Sequence, residues 1–250
     1  MTVDANRFTR RLFWGLLCAE LLLVLFDTVV TYGRLTDSRH LRDLFNITRE
    51  DSIPNWFASM LFLLISLAVW QIYFHNRGRL TPRWREHAWG LVAAGFLFLS
   101  LDDGSRLHER MGGWAKATFG DSENLAGALL DSTPSYAWHV TMGPLFAIGG
   151  LAVLFFCWDQ LRASAQWRLF LLGVGLFVGA QVLDFLEGTD SVVESVRAAL
   201  EVKTYDVTHL SKSVEEFIEM FGQTLMLIAF IRHLGHLGWS LQLERKNPKA

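Results

Sequence analysis

The sequence predicts an all-α fold, a polytopic membrane protein built as a six-transmembrane-helix bundle with short interfacial helices on the outer side. Three observations predict this class. Hydrophobic residues make up 51% of the 250 residues and charged residues only 19%, whereas soluble domains carry about 25% charged residues. Six segments are apolar over the ~20 residues that a helix needs to cross the hydrocarbon core. Basic residues are concentrated in alternate connections, which is typical of multi-pass membrane proteins.

The six predicted spans form one membrane domain that covers residues 1–250. The first span follows a basic segment, as in a signal peptide. However, Glu20 and Asp27 interrupt its apolar run and no A-x-A-like cleavage site follows, so we expect this span to be retained. The spans are expected at about 12–31, 56–75, 88–107, 135–157, 167–186 and 211–232.

Lysine and arginine in the short connections predict the orientation. If the N-terminus is cytoplasmic, the cytoplasmic side carries 13 of the 23 basic residues but only four of the 25 acidic ones. We therefore expect both termini in the cytoplasm. We further expect a bacterial inner (plasma) membrane, with the outer face in the periplasm or outside the cell.

The three outer connections, about 33–55, 108–134 and 187–210, are each longer than twenty residues. Connections of that length usually carry function or structure of their own. The first has Leu41, Leu44 and Phe45 at helical spacing, and residues 192–200 repeat such a pattern. We expect short helices that lie in the outer interface.

Several classes of protein are excluded or disfavoured. The net charge of −2 comes without a basic stripe and interleaved aromatics, so we expect no nucleic-acid partner. Cys18 and Cys157 lie in apolar runs and form no C-x-x-C pair, which disfavours a thiolate zinc site or a redox dithiol. The sequence contains no G-x-S-x-G elbow, P-loop, dinucleotide fingerprint or H-E-x-x-H motif.

Carboxylates and histidines gather at the outer ends of the predicted spans. Asp102 and Glu109 are seven residues apart and share one helix face, and Asp184 and Glu187 are three apart. Glu219 lies inside the sixth span. One-sided polar stripes of this kind face a bundle interior rather than lipid. Carboxylates that face one another in a poorly solvated space either share protons or hold a cation.

A carboxylate-rich set with imidazoles indicates a metal centre, since helical bundles hold di-iron and di-manganese sites with glutamate and histidine. We expect one or two divalent metal ions, with iron or manganese favoured by the excess of carboxylates and zinc as the alternative. The predicted metal ligands are Asp102, Glu109, His139, Asp184, Glu187 and Glu219, and the predicted catalytic acid–base residues are Glu216 and His108.

Each of these residues also has an ordinary interpretation. Asp102 is four residues before Arg106, which is the spacing of a helical salt bridge. Ser213 and Glu216 fit a capping box at the start of the sixth span. His139 beside an apolar run is typical of a hydrogen-bonded core histidine. The functional interpretation depends on these groups sharing one pocket.

Three functions fit this pattern. The first is a metal-dependent enzyme, an oxidoreductase or a hydrolase, that acts on a lipid-like or quinone-like substrate from the outer leaflet. The second is a proton- or cation-coupled transporter or channel. The third is an accessory subunit of a membrane complex. Membrane lipids are expected partners of all three, and the oligomeric state stays open. The sequence ranks the first above the second because Glu20 is the one acidic residue deep in the inner half of the bundle.

Overall fold

The computed structural model describes residues 5–119, 137–187, 197–198 and 204–238. Within these ranges all regular secondary structure is helical, as the sequence predicts. The helices, numbered here in chain order over the described ranges, are α1 Ala5–Phe26, α2 Arg39–Phe45, α3 Ile53–Asn76, α4 Trp84–Ser105, α5 Leu107–Phe119, α6 Ala137–Thr141, α7 Gly143–Leu161, α8 Trp167–Glu187 and α9 Thr204–His236. A π-helical segment, Asp27–Tyr32, continues α1.

Local sequence signals explain several of the helix ends. Ser52 caps α3, since its side chain accepts a hydrogen bond from the backbone N–H of Asn55, and Pro54 lies in the first turn, where its missing N–H costs nothing. Pro144 lies in the first turn of α7 in the same way. At the end of α4, Arg106 adopts a left-handed conformation with φ of 56°, and α5 begins at the next residue.

The long helix α9 is the centre of the bundle. It packs along α8, α3 and α1, while α4 packs on α3 and α7 on α8. Aromatic side chains join α4 to α9: the ring of Phe230 lies 6.2 Å from Trp89 and 5.9 Å from Phe96, measured between centroids. Trp89, Phe170 and Phe230 are completely buried. The half of the bundle that contains the C-terminal part of α9 is therefore filled by apolar side chains.

Four of the described helices are long and apolar enough, by length and composition, to cross a membrane, and the sequence-based count of six is not met. They are Asn6–Tyr32, Ile53–Asn76, Gly143–Leu161 and Trp167–Leu186. The predicted spans 88–107 and 211–232 are present as α4 and α9, but they fall short of this measure. Both helices carry acidic residues, Asp102 and Asp103 near the end of α4 and several in the first half of α9.

Apolar side chains cover the outside of these helices. On α7, Leu145 is 62% exposed and Ile148 is 71% exposed, and Leu172 and Val182 on α8 are more than half exposed. Several helices that present large apolar residues outward indicate a membrane protein, because a water-soluble bundle buries such faces.

The short helix predicted in the first outer connection is confirmed as a helix, and the structure adds a helix that the sequence pattern did not predict in the second. These two helices are α2, within 33–55, and α5, which begins at Leu107. The helix predicted over 192–200 lies outside the described residues except for 197–198. The sixth predicted span begins earlier than expected, because α9 starts at Thr204. Ser213 is therefore in the middle of a helix and does not cap its start.

Helices α8 and α9 cross at a pair of glycines. A Cβ atom added to Gly173 would lie 2.7 Å from the carbonyl oxygen of Gly222, and one added to Gly222 would lie 2.7 Å from the carbonyl oxygen of Gly173. Both contacts are with backbone, which cannot move aside as a side chain can. Small residues at helix crossings permit this close approach in membrane proteins. By contrast, Gly175 and Gly179 on α8 have open space around them.

We expect Gly222→Ala to destabilise the protein by about 1–3 kcal/mol, since the added methyl group forces the two backbones apart. Gly175→Ala is the matched control, because nothing lies within 4 Å of its added Cβ. The measurement is the midpoint of thermal unfolding of each purified variant in detergent. Equal midpoints for the two variants would contradict the crossing.

Candidate functional site

The first half of α9 supplies most of the site. Its polar residues recur at intervals of three and four, so they follow one side of the helix. Those that contribute to the site are His209, Lys212, Ser213, Glu215, Glu216, Glu219 and Gln223. Because α9 is central, this side faces other helices and not the surroundings of the bundle.

Lys212 lies among three carboxylates. Its Nζ atom is 2.7 Å from Oε1 of Glu215, 3.1 Å from Oδ1 of Asp184 on α8, and 3.9 Å from Oε1 of Glu216. Glu215 is buried, and its side chain is only 4% exposed. The lysine therefore neutralises part of an acidic group that two helices build.

Glu219 lies one turn deeper and contacts amides instead of a cation. The Nε2 atoms of Gln181 on α8 and Gln223 on α9 each donate a hydrogen bond to one of its carboxyl oxygens, both at 3.2 Å. Gln223 is completely buried. These two amides fix the position of the Glu219 carboxyl group within the bundle.

Asp103 brings a third helix to the site. Ser59 on α3 donates its hydroxyl hydrogen to Oδ2 of Asp103 at 2.6 Å. Asp103 is close enough to Glu216 and Glu219 for their charges to interact. We call the group formed by Asp103, Asp184, Glu215, Glu216 and Glu219 the acidic cluster.

Next to the acidic cluster, Asp102 orients His108. Its Oδ2 atom is 2.8 Å from Nδ1 of His108, and its Oδ1 atom accepts the backbone N–H of the same histidine at 2.7 Å. The left-handed turn at Arg106 makes this return contact possible, since it folds α5 back towards the end of α4. Asp102 is 5% exposed, whereas the His108 side chain is 24% exposed.

The predicted metal ligands are not gathered around one point. Asp102 bonds His108, Asp184 bonds Lys212, and Glu219 bonds two glutamines. Glu109 is in α5 and pairs with Arg106, which also contacts Glu50.

The other two predicted ligands, His139 in α6 and Glu187 at the end of α8, have side chains outside the described part of the chain. Among the described residues there is no group of three or more histidines, cysteines, aspartates or glutamates arranged to hold a metal ion. Of the two predicted catalytic residues, Glu216 belongs to the acidic cluster and His108 is beside it.

A second polar group ties α1 to α9. Asp27 is completely buried, and its carboxylate accepts hydrogen bonds from the backbone N–H of Ile47 at 3.1 Å and from Ser213 at 3.3 Å. It also lies 2.9 Å from Nε2 of His209, whose ring contacts those of Tyr32 and Tyr205, and the two tyrosine rings also contact each other. This group fixes the connection after α1 onto the bundle.

Several of these contacts are not evident from single positions in the sequence. Lys212 is not among the site residues predicted from the sequence. Its spacing does indicate ion pairs, because Glu215 and Glu216 follow it at i+3 and i+4 on a helix. Gln181 had no such signal, since its partner Glu219 belongs to another helix. The salt bridge expected between Asp102 and Arg106 is replaced by the pairs of Asp102 with His108 and Arg106 with Glu109.

The described part of the chain is all-helical, has four helices long and apolar enough to cross a membrane, and encloses the acidic cluster between α9 and the helices packed on it. The chain belongs to the family described as a domain of unknown function, DUF8692, whose model matches residues 12–234. No curated protein and no solved structure matches the chain.

Asp27→Ala is expected to destabilise the protein by roughly 3–5 kcal/mol, because it leaves His209 and a backbone N–H buried without their shared acceptor. The measurement is the shift in thermal unfolding midpoint in detergent. Asp51→Asn is the control, since Asp51 is an exposed residue that pairs with Arg49 and should change the midpoint little. A similar midpoint for both variants would show that the Asp27 group does not hold the connection.

Proposed function

We propose that the protein is a multi-pass membrane protein whose acidic cluster binds protons or a cation and couples their movement to transport. In this proposal α4 and α9 cross the membrane together with the four apolar helices. Their polar residues are compatible with such a position because neighbouring helices cover them: α9 packs against α8, α3 and α1. Ionisable residues within membrane helices typically face the interior of a bundle and mark ion or proton paths.

The observation that carries the proposal is the charge balance of the acidic cluster. The acidic cluster has five carboxyl groups, from α4, α8 and α9, and the ammonium group of Lys212 contacts three of them. If all five were ionised, the excess would be four negative charges. A poorly solvated interior does not tolerate such an excess, so protons or a bound cation must compensate for it.

The surroundings of Glu219 suit a group that changes its protonation state. The amide groups of Gln181 and Gln223 donate to its oxygens. Such donors bind an ionised carboxylate, and they also bind the carbonyl oxygen of a protonated carboxyl group. Glu219 therefore keeps partners in both states, whereas an arginine partner would favour the ionised one.

The geometry favours proton or cation coupling over the metal-dependent enzyme that the sequence ranked first. Four of the predicted ligands already have other partners, and the ammonium group of Lys212 repels a divalent metal ion from Asp184. We extend the proposal to the surroundings of the protein. Membrane lipids cover the exposed apolar faces, and the acidic cluster lies in the outer half, on the periplasmic or extracellular side of a bacterial inner membrane.

Proton movement into liposomes tests the proposal. The full chain is reconstituted with a pH-sensitive dye inside, and a potassium diffusion potential drives protons inward. We expect faster acidification than in empty liposomes, and we expect Glu219→Gln to lower the rate about ten-fold or more, because the amide cannot bind a proton.

Asp51→Asn serves as the control, since its carboxylate is exposed and outside the acidic cluster. Acidification of wild-type liposomes at the rate of empty ones would contradict the proposal. An unchanged rate in Glu219→Gln would remove the acidic cluster from the path.

One observation favours a second candidate, an enzyme that acts on a lipid-like or quinone-like molecule. His108 is partly exposed, and the Asp102 carboxylate fixes its orientation. An imidazole held in this way by a carboxylate is the arrangement of a general base. In this candidate His108 takes a proton from the substrate or from water. Iron, manganese or zinc, if the enzyme needs a metal ion, would be bound with the help of His139 and Glu187.

Metal analysis of the purified protein separates the two candidates. We expect a metal content well below one ion per chain, unchanged by Asp184→Ala, because Lys212 already neutralises Asp184. Elemental analysis after purification without chelators gives this ratio. A content near one or two iron or manganese ions per chain, lost in both Asp184→Ala and Glu219→Ala, would support the enzyme instead.

A further inference from the structure

Glu20 is a buried carboxyl group that the acidic cluster does not include. It lies in α1, within the first apolar helix that is long enough to cross a membrane, and its exposed fraction is 0%. Thr224 on α9 donates its hydroxyl hydrogen to Oε1 of Glu20 at 2.5 Å. The other oxygen, Oε2, is buried and has no hydrogen-bond partner among the described residues.

A second buried oxygen without a hydrogen-bond partner lies on α9, next in sequence to Thr224. Gln223 immediately precedes Thr224, and its Oε1 atom is also buried without a hydrogen-bond partner in the described part of the chain. The Nε2 atom of the same side chain bonds Glu219 of the acidic cluster. Along α9, Gln223 therefore lies between Glu219 of the acidic cluster and Thr224, which binds Glu20.

No cation contacts Glu20 among the described residues. The other ionisable groups that join the first helix to α9 lie at its π-helical end, where Asp27 pairs with His209 and the Tyr32 hydroxyl donates to Asp206. Asp27 is seven residues from Glu20, which is about 10.5 Å along a helix. Seven residues from Glu20 in the other direction, Phe13 of α1 contacts Phe221 of α9. An ionised Glu20 would be a buried charge with one hydroxyl as its partner, which is an unfavourable state in the interior of a bundle.

We infer that Glu20 is a second proton-binding site, deeper in the bundle than the acidic cluster, and that it takes protons from Glu219. This inference rests on the proposed function and supplies the polar group that a path needs beyond the cluster. The carboxyl group of Glu219 loses its proton and becomes a carboxylate, and Oε2 of Glu20 gains that proton and becomes neutral. Water carries the proton, and it binds at the two open oxygens of Glu20 and Gln223.

Infrared difference spectroscopy of the full chain in lipid tests whether Glu20 holds a proton. We expect the spectrum of the wild type minus Glu20→Gln, at neutral pH, to show the C=O stretch of a protonated carboxyl group. This band should shift when the sample is exchanged into D₂O. Glu20→Gln keeps the size of the side chain, so the bundle should fold. Asp51→Asn is the matched control and should remove only a carboxylate band, because Asp51 is ionised and exposed.

The liposome assay tests whether the site is on the path. We expect Glu20→Gln to slow acidification about ten-fold, and Glu20→Asp, which keeps a carboxyl group, to restore part of the rate. An infrared difference spectrum with a carboxylate band and no C=O band of a protonated carboxyl group would overturn the inference. A wild-type rate of acidification in Glu20→Gln would also overturn it. If the infrared band is present but wild-type liposomes do not acidify, the proposed function fails and Glu20 stands as a proton-binding site without a path.

Discussion

The structure depends on enclosing several carboxyl groups within a bundle that has one lysine to neutralise them. Lys212 reaches Asp184, Glu215 and Glu216, and Glu219 beyond it is bound by amides. An arrangement of this kind needs helices on every side of the polar groups, because a carboxylate that faces lipid is costly. The central position of α9 meets this need. The helices packed around it cover the acidic cluster, and the proposed binding of protons or cations would balance its excess of carboxyl groups.

Helix α9 divides into two parts with different roles. Its first half carries the acidic cluster and the contact of His209 with Asp27. In its second half residues 225–231 are all apolar, and Phe230 packs against Trp89, Phe96 and Phe170. Glu20, Gln223 and Thr224 lie at the boundary between these parts. The polar interior thus extends to this level and is followed by closely packed aromatic rings.

The sequence predicted the helical class, the helix α2 in the first long connection, and the residues Asp184, Glu216 and Glu219 of the acidic cluster. These follow from local patterns: apolar runs, helical spacing, and carboxylates in unusual places. The sequence did not predict the pairing of those residues. Whether Asp102 turns to Arg106 or to His108 depends on the left-handed residue at the end of α4. The positions of Gln181 and Thr224 depend on which helices are neighbours. Four described helices rather than six have the length and composition of a membrane span, and α4 and α9, which carry most of the acidic cluster, are the two predicted spans that do not.

The glycine crossing has a consequence for how such a bundle could change shape. At Gly173 and Gly222 the backbones of α8 and α9 are in contact. We therefore expect these two helices to move together as one rigid unit. The contact between α4 and α9 is of another kind, since it is made by the ends of long aromatic side chains. Rings can slide or change rotamer where backbones cannot. A hinge for opening the bundle is therefore to be sought along α4, while the pair formed by α8 and α9 serves as the fixed frame.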